Sequence, residues 1–290
     1  DRSPSRGLGD VYKRQLIGNP VGHSISPVIH NSLAQLMDMN MVYTTFKVEK
    51  GDVVTAVNGA YALNILGLNV TVPHKQAVME SLVDIDPLAK AIGAVNTLVR
   101  TDKGYKGYNT DILGLERELI DEGVVLLGSR CVILGAGGAA RAIAFLCAKS
   151  GAKEIYVLNR TKEKAYDIAK AVNDYFGKEC IKPMLISEYD KLEADDYVVI
   201  QTTSVGLYPN VDDVVIDDEA FYKKVKVGVD IIYNPSETRF MKMCKNSGKP
   251  ACNGLKMLLY QGVAAYELWN DVSVTKEQAD KVYNKMKEEL

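Results

Sequence analysis

The stretch Asn69-Val-Thr-Val-Pro-His-Lys75 sets an imidazole and an amine side by side after a proline. Either group can act as a general acid or base, and its ordinary titration range favours the histidine. A plainer reading is a half-buried strand, a proline that opens a helix, and two solvated side chains at its start. Strand alternation puts Asn69 and Thr71 on one face and Val70 and Val72 on the other. Asn69, Thr71 and Lys75 then form a run of groups able to read hydroxyls. Other stretches hold polar residues where a core would reject them. Ser24 and Ser26 stand two apart before Pro27, although a helix N-cap at Ser26 accounts for one of them. Asn96 interrupts an apolar strand, and Gln261 sits in a mostly apolar helix seven residues after Gly254. Asp111 ends "GYNTD" at a helix start, where capping is the plain alternative. Together these groups suit a small polyol that carries a carboxylate.

A second constellation lies in "CVILGAGGAARAIAFLCAKSGAKEIYVLNRT". Cys131 to Leu134 is a continuous apolar run, as expected of a strand buried on both faces. Gly135, Ala136, Gly137, Gly138 and Ala139 form a glycine turn into a small-residue helix. Such a turn lets backbone N–H groups approach a pyrophosphate at a helix N-terminus. A binder of NAD places Asp or Glu at the end of the next strand for the ribose hydroxyl. Here Asn159, Arg160, Thr161 and Lys164 stand there instead. Two cations attract a 2′-phosphate that an acid would repel, so the expected cofactor is NADP.

Both constellations need rigid elements beneath them. Helix, strand and glycine-turn signals alternate along the whole chain, which is the grammar of an α/β protein. Helices are expected over 27–37, 112–122, 139–149, 162–175, 256–269 and 276–290. Strands are expected over 42–48, 67–72, 131–134, 154–158, 197–201 and 228–232. A hairpin is expected around Asp102-Lys103-Gly104. The length of 290 residues, 47% hydrophobic and 25% charged, fits about two ordinary globular domains. A net charge of −2 without a basic stripe offers nucleic acid no footprint. No apolar stretch reaches the ~20 residues of a membrane span. Five cysteines without C-x-x-C give no disulfide framework and no zinc site, so no metal is expected, and they fit a reducing cytoplasm. "DRSPSRGLGDVYKRQ" resembles translated adapter or vector sequence, so residues 1–15 are set apart as non-native, and the start of the strand feeding Leu16 is expected to be missing.

The motifs "GNPVGHSISP", "NVTVPHK", "GAVNT", "GYNTD", "GAGGAAR", "NRT", "YNPSET" and "NGLKMLLYQG" occur in one order, and together they resemble the shikimate dehydrogenase family from Leu16 onward. The resemblance implies an α/β enzyme of two domains with a cleft between them. Residues 16–111, completed by 254–290, would form the substrate domain. Residues 112–253, with a linking helix at 112–122, would form a Rossmann-type doubly wound NADP-binding domain. The implied reaction is reversible reduction of 3-dehydroshikimate to shikimate with NADPH, in chorismate and aromatic amino-acid biosynthesis. By position, Ser24 and Ser26 would bind the substrate carboxylate. Asn69, Thr71, Asn96, Asp111 and Gln261 would hold ring hydroxyls, with Tyr233 near the substrate. Lys75 and Asp111 would be the catalytic pair, and His74 would be packing. Gly135 to Ala139, Asn159, Arg160, Thr161 and Lys164 would hold NADP, with Ile231 and Gly254 by the nicotinamide. Lys164 stands where many members carry Arg, and Ile231 where some carry Met. The alternatives are a quinate-accepting relative with relaxed cofactor choice and a non-catalytic NADP-binding sensor. Partners are limited to the small-molecule substrate, and the assembly is expected to be a monomer or homodimer.

Overall fold

The computed structural model describes residues 11–290. The chain divides into two compact units. One comprises the chain through Gly114 together with Leu259–Leu290, and the other is Leu115–Leu258.

The first unit begins with β1 (Tyr12–Gly18), α1 (Ser26–Leu36), β2 (Met41–Lys47), α2 (Val53–Ala62) and β3 (Gly67–Val70). It continues through β4 (Asp84–Ile85), α3 (Pro87–Ile92), β5 (Thr97–Thr101) and β6 (Gly104–Tyr108). Its six strands run in the order β2-β1-β3-β5-β6-β4. The pairs β1/β2, β1/β3 and β4/β6 are parallel, and the β3/β5 and β5/β6 pairs are antiparallel. Ile17, Leu68, Val70, Val95, Leu98 and Tyr105 form its core. The helix α4 (Asp111–Asp121) leads into the second unit.

The second unit contains β7 (Arg130–Leu134), α5 (Gly138–Lys149), β8 (Glu154–Asn159), α6 (Lys162–Phe176), β9 (Ile181–Leu185) and β10 (Tyr197–Gln201). Then come α7 (Glu219–Lys223), β11 (Val225–Asp230), α8 (Arg239–Asn246) and β12 (Ala251–Asn253). The sheet order β9-β8-β7-β10-β11-β12 is wholly parallel. That is the doubly wound Rossmann order, with its switch point between β7 and β10. Two final helices, α9 (Leu255–Asn270) and α10 (Lys276–Glu288), close the chain. Trp269 of α9 explains why the end of the chain belongs with the first unit. Its indole donates to the Leu98 carbonyl at 2.8 Å. Its ring fills the space where any side chain at Gly67 would stand, at 2.4–2.6 Å from an added Cβ.

Several expectations change. Residues 12–15 are the first part of β1, an interior strand paired on both sides, and Arg14 and Gln15 are buried. Main-chain pairing is indifferent to side-chain identity, so a foreign-looking sequence still completes the strand; residues 1–10 of the segment lie outside the described residues. Pro73 does not open a helix. The strand ends at Val70, and the His74 N–H donates to the Thr71 carbonyl in a turn. Alternation fails there too, since Val70 is buried while Val72 is 60% exposed. The last strand of the 228–232 segment stops at Asp230, leaving Ile231 and Ile232 beyond the sheet. The division between units falls inside α4, between Gly114 and Leu115, and inside α9, between Leu258 and Leu259, rather than at residues 111 and 254.

Candidate active site

In the first unit the sheet, the start of α4 and the helix α9 bring five of the singled-out polar residues into one hydrogen-bonded group. The Lys75 ammonium donates to Asp111 Oδ2 at 2.7 Å, with the lysine side chain 30% exposed and the aspartate 13%. The main chain of Lys75 is fixed as well, because its carbonyl accepts from the Val95 N–H at 2.8 Å. Asp111 is the first residue of α4 and does not cap it. Its own N–H is satisfied by Asn109 Oδ1, and its second oxygen accepts from Asn96 Nδ2 at 2.8 Å. Asn96 Nδ2 also lies 3.3 Å from Gln261 Oε1. The orientation of the Asn96 amide is forced. Its Oδ1 sits 2.8 Å from the Thr110 N–H, which can only donate, and accepts from the Thr97 and Thr110 hydroxyls. Asn69 Nδ2 donates to the Asn96 carbonyl and to Thr97 Oγ1.

The serine pair is not used for helix capping. The N-cap of α1 is Ile25, with no side-chain cap, so Ser26 is not spent on capping. Ser24 Oγ donates to Ser26 Oγ at 3.2 Å and accepts from the Ser26 N–H. Two adjacent hydroxyls could serve a carboxylate if the Ser24 O–H turns from Ser26 to the ligand. Thr71 lies just past the strand end and is partly buried. His74 is 1% exposed, and its ring nitrogen bonds the Val48 carbonyl at 2.8 Å, so it packs rather than reacts.

In the second unit the glycine turn follows β7 at the switch point. Gly135 has φ +109, and an added Cβ would strike Thr202 Oγ1 at 2.7 Å and Thr203 Cγ2 at 2.8 Å. Gly137 and Gly138 are exposed, and a Cβ on either would meet nothing within 4 Å. The N-cap of α5 is Gly137, without a side-chain cap, so the first-turn N–H groups of the helix face outward for an anion. At the end of β8, Asn159 Nδ2 holds the Thr161 carbonyl at 2.9 Å, and Arg160 and Lys164 are exposed. Gly254 cannot be any other residue, because an added Cβ would lie 2.2 Å from the Ile231 carbonyl oxygen. Ile231 and Gly254 therefore touch. Tyr233 follows on a loop held at three points. Buried Asp230 accepts from the Ile232 N–H and from Thr238 Oγ1, and Asn253 donates to the Ser236 carbonyl. Burial pushes the Asp230 carboxyl up to about 6 and raises the Tyr233 phenol.

A family profile for the shikimate dehydrogenase substrate binding domain matches residues 16–98, and one for shikimate/quinate 5-dehydrogenase matches residues 119–236. A shikimate dehydrogenase (NADP(+)) of Methanosarcina mazei is 43% identical over 261 residues, covering 89% of this chain and 92% of that protein. The chain belongs to the shikimate dehydrogenase family. Among solved structures, a shikimate dehydrogenase in complex with NADP+ is similar with a TM-score of 0.87 at 37% identity, covering 96% of this chain and 98% of that one. A shikimate 5-dehydrogenase from Listeria monocytogenes in complex with shikimate and NAD has a TM-score of 0.88 at 29% identity, covering 99% of this chain and 100% of that one.

The residues of this shikimate dehydrogenase family member fit NADP. The open faces of Gly137 and Gly138 and the uncapped start of α5 could hold a pyrophosphate. The end of β8 offers a guanidinium and an amine where a carboxylate would exclude the 2′-phosphate. Sequence reasoning passed over Tyr43, Thr97 and Thr110. Thr110 stands inside the quoted "GYNTD", and both threonines are fully buried polar residues around Asn96. Their signal was a hydroxyl in an apolar context, the same one that marked Asn96. Among the described residues no three His, Cys, Asp or Glu side chains group as a metal site would require, and no helix is long and apolar enough to cross a membrane.

Proposed function

We propose that the chain catalyses the reversible NADPH-dependent reduction of 3-dehydroshikimate to shikimate, with Lys75 as proton carrier and Asp111 as its orienting partner. The observation that carries this reading is the Lys75–Asp111 pair at 2.7 Å, held from behind by Asn96. When bound, NADPH supplies the hydride that the substrate carbon receives. Lys75 Nζ gives a proton to the oxygen that becomes the hydroxyl, and takes that proton back in the oxidation direction. Asp111 engages one of the three lysine N–H donors, which leaves the others for the substrate oxygen. Ser24 and Ser26 bind the carboxylate, while Asn69, Thr71, Asn96 and Gln261 read ring hydroxyls. Tyr233 is assigned to the substrate, and Ile231 and Gly254 to the nicotinamide. Residues 135–139 take the pyrophosphate, and Asn159, Arg160, Thr161 and Lys164 take the adenosine 2′-phosphate end.

A quinate-accepting enzyme with relaxed cofactor choice is the second reading. Lys164 offers a point charge without a planar fork, which loosens selection for the 2′-phosphate. The intact serine pair favours shikimate. Side-by-side kcat/KM on shikimate and quinate with NADP+ and NAD+ decides between the two. The Lys75 role is tested by Lys75→Ala, for which kcat falls by roughly two orders of magnitude or more while the melting temperature holds. An unchanged kcat removes Lys75 from the reaction. The expected setting is the cytoplasm, as a monomer or homodimer, which light scattering on the purified chain distinguishes.

A further inference from the structure

Tyr43 is the one buried residue of β2, and it is 2% exposed. It is held at three points. Its ring stacks on His30 with centroids 4.2 Å apart and lies 6.1 Å from Trp269. Its main chain is clamped by the Asn31 side chain, which accepts from the Tyr43 N–H at 2.8 Å and donates to its carbonyl at 3.0 Å. Its hydroxyl lies 2.8 Å from Asn69 Oδ1. The direction of that last bond is determined. Asn69 Nδ2 is fixed by the Asn96 carbonyl, which can only accept, so the atom facing Tyr43 is the amide oxygen and the phenol must donate. The Ser26 side chain lies beside the same hydroxyl.

His30 and Asn31 belong to α1, whose first turn carries Ser26. Asn69 belongs to β3. One side chain thus ties the helix that presents the serine pair to the strand that presents the hydroxyl-reading amide. We propose that Tyr43 is a positioning residue of the substrate site: it fixes the separation of Ser24 and Ser26 from Asn69 and supplies the donor that holds the Asn69 amide from its oxygen side. This inference rests on the substrate roles given above to the serines and Asn69. Without the phenol, Asn69 Oδ1 loses that donor and its link to β2, while Nδ2 keeps the Asn96 carbonyl and Thr97 Oγ1. Ring packing and the Asn31 clamp survive in a phenylalanine variant, so the fold is retained.

The test compares Tyr43→Phe and Asn31→Ala with the parent. Shikimate affinity is measured by calorimetry on the NADP+-loaded enzyme, alongside kcat and both KM values. Loss of one hydrogen bond at a binding group predicts a roughly five- to tenfold weaker shikimate Kd and a matching rise in its KM. The kcat should stay within about twofold and the KM for NADP+ should not move. Asn31→Ala should show the same split with a smaller amplitude. Unchanged shikimate affinity in both variants overturns the proposal. So does a parallel loss of kcat and of NADP+ affinity with a lowered melting temperature, which would mark Tyr43 as a fold residue only. If the parent binds shikimate without turning it over, the proposed reaction fails, yet the Kd comparison still decides Tyr43.

Discussion

Glu118 of α4 gives the most quantitative prediction. It is fully buried, and neither carboxylate oxygen has a hydrogen-bond partner among the described residues. Burial pushes its carboxyl from an ordinary 4.5 up to about 8, and the nearby Glu122 charge pushes the same way. Lys256 and the nearby Met257 N–H oppose the shift, but the Lys256 ammonium is committed to ion pairs with Asp121 at 2.6 Å and Glu122 at 2.5 Å. The unfolded chain releases this proton near its ordinary value, while the folded chain keeps it to about pH 8. Between those limits the folded state binds more protons, so stability is highest at low pH and falls as pH rises toward 8. Each pH unit costs about 1.4 kcal/mol, which gives a ceiling of about 3 kcal/mol at pH 7 and about 5 kcal/mol at pH 8 and above.

Glu118→Gln keeps the shape of the neutral acid and removes the titration. The variant should match the parent near pH 5 and melt progressively higher above it. At 2–4 °C per kcal/mol for a unit of this size, the gain at pH 8 is on the order of 10 °C. Thermal unfolding followed by circular dichroism from pH 5.5 to 9 measures it. A difference between variant and parent that does not change with pH would refute the reasoning, because it means that folding leaves the Glu118 pKa unmoved.

If Arg160 and Lys164 take the 2′-phosphate as proposed, replacing both with Ala should raise the KM for NADP+ roughly tenfold or more and leave NAD+ unaffected. An equal effect on both cofactors would assign the pair to general attraction. Arg14 is 4% exposed, and its Nε has no partner among the described residues. Its hydrogen bonds to the Lys13 and Trp269 carbonyls and to Asn270 are long at 3.2–3.4 Å, its guanidinium lies 5.8 Å from the Trp269 ring centre, and burial pulls it down to about 10. Arg14→Leu should therefore raise stability by about 1–3 kcal/mol in denaturant unfolding, the usual cost of an unsatisfied buried polar group. A loss of stability would show that the guanidinium suits its site.

The two kinds of information in the chain were unequally legible. The second sheet was readable because a parallel strand buried on both faces is a local signal: Cys131 to Leu134 is continuous and apolar, and the glycine turn follows at once. Its edges were not. The strand β9 carries Pro183, tolerated there because an edge strand leaves one side unpaired, and β12 has only three residues. The helix α3 has six residues, yet Asp86 caps it by accepting from Leu88 and Ala89, with Pro87 at its start, a signal present in the sequence and overlooked.

The site divides in the same way. Lys75, Asp111, Asn96, Ser24, Ser26 and Gln261 stood out as polar residues in apolar or turn settings, which requires no knowledge of neighbours. What each one faces is set by partners far away in sequence. Lys75 is pinned by Val95, Asn96 by Thr110, and Asn69 by Tyr43. Glu118 shows the limit most clearly. In "LERELIDEG" it reads as part of a solvated helix face, and only its burial beside α9 turns it into a proton-binding group. Residue type announces that chemistry is available. The tertiary partner decides the orientation and the charge state in which it is used, so a substitution at Tyr43 or Glu118 reports on the fold's contribution separately from that of the reacting groups.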